Sequence, residues 1–269
     1  MIAEAIILGS GTSNGVPTLG VDYSPEFLSN SKNWRTRPSL LIKGPEGNLL
    51  IDCAPEMRLQ LLREDVKMVE AVIITHTHAD HIMGMDDLRS FCLKSKQDMP
   101  IYTLPRYAED IRRVFAYAFK EFGPGIEVPR FDLRELDFLG LAEASPSPAT
   151  CHVLSVGGLD VRLFLVWHGP WPVIALRVGD FGYVTDVKVI PPEAEAELQG
   201  LKTLILDAVR RRPHPNHMHF DEAVEWAQRI GAKQTYFNHL SHDYDHDETN
   251  AELPPNIQLS YDGQRIAIS

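Results

Sequence analysis

Ala71-Val72-Ile73-Ile74-Thr75-His76-Thr77-His78-Ala79-Asp80-His81 runs a short apolar stretch directly into an H-x-H-x-D-H cluster, four metal-ligand side chains in six residues. The apolar part reads as a buried strand. His76, His78, Asp80 and His81 cannot share one face of a strand and still converge, so the cluster is expected in a loop at the strand's carboxyl end, where the backbone can fan its side chains. Imidazole and carboxylate suit divalent zinc, manganese or iron, and without a thiolate in the cluster an iron–sulfur or copper(I) centre is not expected. A chance run of solvated histidines is the bland alternative, and a full ligand set behind a buried strand argues against it. Such a cluster reads as half of a two-metal site whose other half lies elsewhere in the chain.

The 269 residues, 44% of them hydrophobic, can bury a substantial core without a staple. Cys53, Cys92 and Cys151 are odd in number and widely spaced, which indicates neither a disulfide framework nor a C-x-x-C knuckle. Met1-Ile2-Ala3-Glu4-Ala5 has no basic leader before its apolar run and reads as a first strand. Together these features predict a reducing, cytoplasmic setting. No apolar run approaches membrane-spanning length, so no membrane partner is expected. Lysine and arginine number 26 against 37 acidic residues, and the formal charge of −11 disfavours nucleic acid as a partner.

Short β-rich runs alternate with amphipathic stretches over the whole length, and no low-complexity linker divides them, so residues 1–269 read as a single α/β domain. Strands are expected near Ile2–Leu8, Ser39–Lys43, Asn48–Asp52, Ala71–Thr75 and Pro100–Thr103. A second series is expected near Leu159–Val166, Val173–Val178, Gly182–Thr185, Thr203–Leu206, Gln234–Asn238, Ile257–Ser260 and Gln264–Ile268. The two series suggest two sheets, with Asp262-Gly263 as a tight hairpin turn between the last two strands. Pro55 opens a helix whose apolar face is Met57, Leu61 and Leu62. Ala223, Trp226, Ala227 and Ile230 mark a helix over Asp221–Ile230, stopped by Gly231. Ala142–Thr150 reads as a surface loop, and the aromatic stretch Tyr107–Phe122 as a lid or as the contact of a homodimer.

An H-x-H-x-D-H cluster after a strand resembles the signature of the metallo-β-lactamase fold superfamily. That resemblance implies a four-layer αβ/βα sandwich of two mixed β-sheets with helices outside. It also looks for further residues in a fixed order: an Asp closing an early strand, a lone His, another Asp and a late His. Asp52 after Leu49-Leu50-Ile51, His168 after Phe164-Leu165-Val166-Trp167, Asp186 after Tyr183-Val184-Thr185 and His239 after Tyr236-Phe237-Asn238 fill those places. Singly, His168 or His239 would pass for a core or surface histidine; the resemblance places His76, His78 and His168 on one ion and Asp80, His81 and His239 on the second, with Asp186 bridging. Asp52 is expected to orient a ligand histidine from behind.

Within the superfamily, Gly9-Ser10-Gly11-Thr12-Ser13-Asn14-Gly15-Val16-Pro17, Asn216-His217 and Asn238-His239-Leu240-Ser241-His242 are similar to the phosphoribosyl 1,2-cyclic phosphodiesterase-like group. That group implies that His217 donates a proton to the leaving oxygen, and Asp80 joins it in the catalytic pair. The group's cysteine-bound structural zinc is not expected here, because Val21, Tyr23 and Phe27 stand where its cysteines would be and only His242 matches. His242 is therefore expected in the outer ring of the site with Asp52. Gly9, Gly11 and Gly15 form neither a dinucleotide fingerprint nor a P-loop, and read as a tight loop beside the site. Ser10, Thr12 and Asn14 are candidate substrate contacts there, with plain turn geometry as the alternative; Arg35 and Arg37 are weaker phosphate candidates, with a solvated surface as theirs. Trp167 and Trp171 flank His168 as pocket wall or core. Asp243–Asp247 departs from a calcium loop at Glu248 and Pro254 and reads as a solvated acidic loop.

The resemblance thus implies a hydrolase with two divalent ions per chain, zinc or manganese, cleaving a small or cyclic phosphodiester through a hydroxide shared between them. Alternatives on the same ligands are a tRNA 3′-processing endonuclease, a thioester, lactone or β-lactam hydrolase, and a non-catalytic metal-binding sensor. The negative charge and the lack of an inserted arm count against the first, and the intact ligand set against the last.

Overall fold

Runs such as Leu40-Leu41-Ile42, Leu49-Leu50-Ile51 and Val72-Ile73-Ile74 are apolar on both faces, and a strand of that kind must be covered on both sides. The computed structural model, which describes residues 3–123, 125–136, 138 and 151–269, meets that demand with two sheets packed face to face and helices outside each. The strands are β1 (Ala3–Gly9), β2 (Ser39–Gly44), β3 (Gly47–Ile51), β4 (Ala71–Ile73), β5 (Met99–Thr103), β6 (Phe131–Glu135), β7 (His152–Val156), β8 (Leu159–His168), β9 (Trp171–Val178), β10 (Phe181–Val184), β11 (Thr203–Asp207), β12 (Gln234–Asn238), β13 (Ile257–Leu259) and β14 (Arg265–Ile268). The helices are α1 (Pro25–Ser29), α2 (Met57–Arg63), α3 (Ala79–Ile82), α4 (Arg89–Ser95), α5 (Pro105–Val114), α6 (Pro192–Glu197), α7 (Phe220–Ile230) and α8 (His246–Glu252).

The first sheet runs β14-β1-β2-β3-β4-β5-β6 and the second β13-β12-β11-β10-β9-β8-β7. In each, β-meander pairings that are antiparallel give way to parallel ones, β3 to β6 in the first sheet and β10 to β13 in the second. Parallel neighbours need a crossover, and helices supply it on the outer faces. Because side chains alternate along a strand, Ile42, Ile51 and Ile73 meet Leu163, Leu165, Ile174 and Ile205 between the sheets. Leu41, Leu50 and Val72 point the other way, onto Met57, Leu61 and Ile111 of α2 and α5. Val166, Val173, Leu204 and Leu206 pack likewise against Ala194 of α6 and Ala223, Ala227 and Ile230 of α7. This is the four-layer mixed-sheet sandwich that the resemblance implies.

Several local expectations need correction. Asp262-Gly263 is no hairpin turn: β13 ends one sheet and β14 pairs with β1 in the other, so these residues carry the chain between sheets. Asp262 fixes that crossing by accepting hydrogen bonds from Ser10 N and Oγ at 2.8 Å each and from Thr36 N at 2.9 Å and Oγ1 at 2.5 Å. Leu62 is 62% exposed, so the buried face of α2 is Met57, Gln60 and Leu61. Two edge-region strands, β6 and β7, had no place in the expected set. Within Tyr107–Phe122, Tyr107, Phe115 and Ala118 are core while Val114, Phe119 and Phe122 are exposed, and the Tyr107 hydroxyl donates to Pro172 O at 2.6 Å across the sandwich. The expected loop Ala142–Thr150 lies outside the described residues. Among the described residues no helix is long and apolar enough to cross a membrane.

Candidate metal centre

The chemistry-bearing residues follow strand ends. Asp52 follows β3, the His76–His81 segment follows β4, His168 ends β8, Asp186 follows β10, Asp207 ends β11 and His239 follows β12. Asp52, Asp186 and His239 have φ of 61°, 48° and 59°, left-handed conformations that non-glycine residues rarely take. Each costs on the order of 1 kcal/mol and persists only where the surroundings over-determine it. Here the reversal turns each side chain off its strand toward the seam between the sheets.

The ligand atoms of His76, His78, His168 and Asp186 lie within 4.8 Å of one another, and so do those of Asp80, His81, Asp186 and His239. Asp186 belongs to both groups. Its Oδ2 stands 3.7 Å from His76 Nε2, 3.4 Å from His81 Nε2 and 3.4 Å from His239 Nε2. Asp80 Oδ2 is 3.4 Å from His81 Nε2 and 3.5 Å from His239 Nε2. The structure thus brings together all seven residues expected to ligate metal, in the two sets that the resemblance implies.

Partners behind the rings fix which nitrogen faces inward. His81 Nδ1 donates to Asp52 Oδ2 at 2.7 Å, and Asp52 is held in turn by Thr75 N and Thr75 Oγ1 at 2.8 Å each. His168 Nδ1 donates to Asn216 O at 2.7 Å, and His76 Nδ1 lies 3.1 Å from Thr75 Oγ1. For His81 and His168 the bond at Nδ1 turns Nε2 toward the pocket, the orientation a metal ligand needs. Trp171 closes one wall, its ring 5.2 Å from that of His78 and 5.7 Å from that of His168.

Burial pushes His76, His78 and His168 toward the neutral form in which imidazole binds metal. Burial also opposes charge on Asp80, yet His81 and His239 outweigh it and hold that carboxyl below the usual range. The same competition runs the other way at His239, where Asp186 and Asp80 overcome burial and lift the imidazole to about 9. The carboxylates therefore draw positive charge into a buried pocket. His81 Nε2 and His239 Nε2 are buried with no hydrogen-bond partner among the described residues, a costly condition for a polar atom. A divalent cation satisfies both facts, so the donor set fits metal binding.

Beside this cluster sits a pair that the sequence reading half missed. His217, 8% exposed, stacks on His239 with ring centroids 4.9 Å apart, and its Nδ1 donates to Asp207 Oδ2 at 2.8 Å. Asp207 Oδ2 also accepts from Val187 N at 2.9 Å, and its Oδ1 lies 3.7 Å from His239 Nδ1. Asp207 thus backs His217 through a hydrogen bond and stands near His239 without one. Its one sequence signal was a carboxylate closing the run Leu204-Ile205-Leu206, the same signal that marked Asp52.

Other candidates fall elsewhere. Ser10 is fully buried and its hydroxyl is engaged by Asp262, so it is no substrate contact. In the same loop Gly11 N donates to Thr36 O, Thr12 N to Leu240 O and Gly15 N to Thr12 O, which leaves those amides nothing for a phosphate. A Cβ at Gly9 would stand 1.9 Å from Arg37 O, so close backbone approach is what that glycine allows. Thr12 and Asn14 do reach a cavity of about 210 Å³ whose wall includes His217 and His239. Arg35, read as a surface residue, is 1% exposed and donates to Tyr244 O at 2.9 Å and Ser241 O at 3.3 Å. Arg37 pairs with Glu56 at 3.0 Å. His242 does not stand behind a ligand: its side chain is 43% exposed, 3.7 Å from Asp243 and edge-on to Tyr23 at the cavity mouth. Asp245, within the acidic loop, caps α8 by accepting from Asp247 N and Glu248 N at 3.1 Å each.

Comparison with known proteins gives four matches. The family profile of the β-lactamase superfamily domain matches residues 47–240. The crystal structure of a diphosphatase from the PhnP family is similar with a TM-score of 0.87 and 34% identity, over 100% of this chain and 98% of that one. Among curated proteins, the octanoyltransferase of Porphyromonas gingivalis is 33% identical over 98% of this chain but 51% of its own length, so the chain spans about half of that relative. The ribonuclease Z of Methanopyrus kandleri is 24% identical over 87% of this chain and 92% of its own.

Proposed function

Since the chain belongs to the β-lactamase superfamily, and within it to the PhnP family, we propose that it is a dinuclear metal-dependent phosphodiesterase acting on a small, cyclic or diphosphate-linked ester. The observation that carries this reading is the pair of ligand groups sharing Asp186, with orphaned imidazole nitrogens facing the gap. His76, His78 and His168 would hold one cation and Asp80, His81 and His239 the other. Zinc and manganese both suit these donors. Bound there, the cations would supply an acidified water and neutralise charge on the phosphoryl oxygens.

The chain's own part is proton delivery and orientation. His217 has its Nδ1 proton committed to Asp207 and borders the small cavity beside His239. From there its Nε2 can protonate a departing alkoxide, while the buried Asp207 carboxylate stabilises the imidazolium that precedes transfer. Asp52 keeps His81 in one orientation throughout. The net charge of −11 disfavours an RNA. Free thiols at Cys53, Cys92 and Cys151 accord with a reducing compartment.

A carbonyl ester is the second reading, favoured by the identity to the octanoyltransferase across nearly all of this chain. Purified protein of known metal content, assayed on bis(4-nitrophenyl) phosphate, a ribose cyclic phosphate, a dinucleoside diphosphate, precursor tRNA and an octanoyl thioester with and without chelator, separates them. Chelator-sensitive turnover of a small phosphodiester or diphosphate is expected. Turnover of the thioester alone would overturn the phosphodiesterase reading.

A further inference from the structure

Between β1 and β2 the chain makes a tight turn that carries Leu19 at its tip, 96% exposed. Gly20, at φ 76°, takes the third place of this turn and Val21 N donates to Thr18 O at 3.3 Å, so Leu19 stands at the second place. The base of the turn is held from several sides. Thr18 N donates to Tyr23 Oη and Thr18 Oγ1 to Gly15 O, both at 2.8 Å, while Val16 and Arg35 exchange two backbone bonds at 2.8 Å each. Tyr23 is fixed in turn by its ring, which stacks on Phe27 with centroids 5.0 Å apart. A lone exposed leucine needs no explanation on most surfaces. This one is presented by a turn that the fold holds still.

It also stands beside the metal centre. Leu19 lines a second cavity, of about 310 Å³, together with Pro55, Ala79 and Asp80. This cavity and the one that His217 and His239 border share Ser13, Asn14 and Thr18, so the two open on either side of one short stretch of chain. The one cation in the second lining is Arg37, whose charge is already matched by Glu56 at 3.0 Å, and the Thr18 hydroxyl is given to Gly15 O. What remains beside Asp80 is mainly apolar. Leu19, Pro55 and Ala79 are all exposed, three uncovered apolar surfaces around a single hollow.

We infer that Leu19 is a specificity-determining residue: it covers the arm of the ester that stays on phosphorus after cleavage, and that arm is an aromatic or otherwise flat apolar group. This rests on the proposed function, because with His217 giving the departing oxygen its proton, the cavity on the Asp80 side is the one left for the other arm. A ring laid against Leu19 and Pro55 takes apolar surface of both partners out of water, and a turn that is already held gives up little freedom on binding. An anionic arm, by contrast, finds no unpaired cation in that lining.

Binding of the retained half alone tests this without turnover. Metal-loaded wild type should bind phenyl phosphate about fivefold or more tightly than methyl phosphate in calorimetric titration. Leu19→Ser should lose most of that preference and Leu19→Met should keep it. Leu59→Gln, at a leucine 58% exposed on α2 and outside both cavities, should leave it unchanged. Bis(4-nitrophenyl) phosphate and methyl 4-nitrophenyl phosphate release the same nitrophenolate, so the difference between them reports the retained arm, and L19S should raise KM for the first with kcat little changed. A wild type that binds both monoesters equally, or a preference that survives in L19S, overturns the inference. Failure of the hydrolytic reading shows separately, as wild type that turns over neither diester while the binding preference stands.

Discussion

His217 and Asp207 divide one task. In the proposed reaction the imidazole reaches the cavity and the carboxylate, 2.8 Å behind it, holds its Nδ1 proton. His217→Ala should therefore retain its metal content and lose roughly 10²–10⁴-fold in turnover of an alkyl ester, with a smaller loss on a nitrophenyl ester that needs no proton. Unchanged kinetics on the alkyl ester would remove it as the acid. Asp207→Asn should show the same leaving-group dependence. Asp186→Ala should instead lose metal, read by elemental analysis of purified protein, since its Oδ2 faces nitrogens of both groups. At this scale the H-x-H-x-D-H cluster stood out from its own residues, whereas His168, Asp186 and His239 entered only through the resemblance, whose order they fill. Asp207 was not, because a lone aspartate closing a strand carries no mark of what lies behind it in space. Ser10 and Arg35 misled for a related reason: a hydroxyl or a guanidinium looks the same in sequence whether it faces a phosphate, solvent or a buried carbonyl, and arginine is rarely buried.

Elements were legible in proportion to their burial. Strands β2, β3, β11 and β12 are covered on both faces or nearly so, and their apolar runs announced them. β6, with Asp132, Arg134 and Glu135 in five residues, and β7, with exposed Val153, lie at sheet edges where charge and irregular patterning are tolerated. Helix α8 carries its own pH signature. His246 at its start is 3% exposed, and burial together with Lys32 and Arg35 lowers it from 6.5 to about 4. The unfolded chain then takes up a proton at higher pH than the folded one, so stability should fall as pH drops from 6.5 through 4. Thermal melts of His246→Gln should show a shallower decline than wild type across that window, and equal slopes would refute the assignment.

Across the whole molecule, one of the places where the chain crosses between the two sheets is at Asp262. Four hydrogen bonds from Ser10 and Thr36 converge on this carboxylate. Asp262→Ala would leave the buried Ser10 and half-buried Thr36 donors unanswered and should cost about 3 kcal/mol in denaturant unfolding, with the loss read as a lower midpoint. The turn dipeptide Asp262-Gly263 suggested a hairpin because turn chemistry is local. Which sheet receives the next strand is decided by packing hundreds of residues away, and no dipeptide encodes that. The site's place at the seam follows from the same topology, because both sheets send parallel strand ends there.

Strand β14, which pairs with β1 across an interval of more than two hundred residues, also sets an order of events in the cell. A ribosome delivers β1 early and β14 late, so the flank of β1 has no neighbour on one side for most of the chain's synthesis. Through that interval the open backbone groups are a site for mispairing with other nascent chains, and a holding chaperone has something specific to cover.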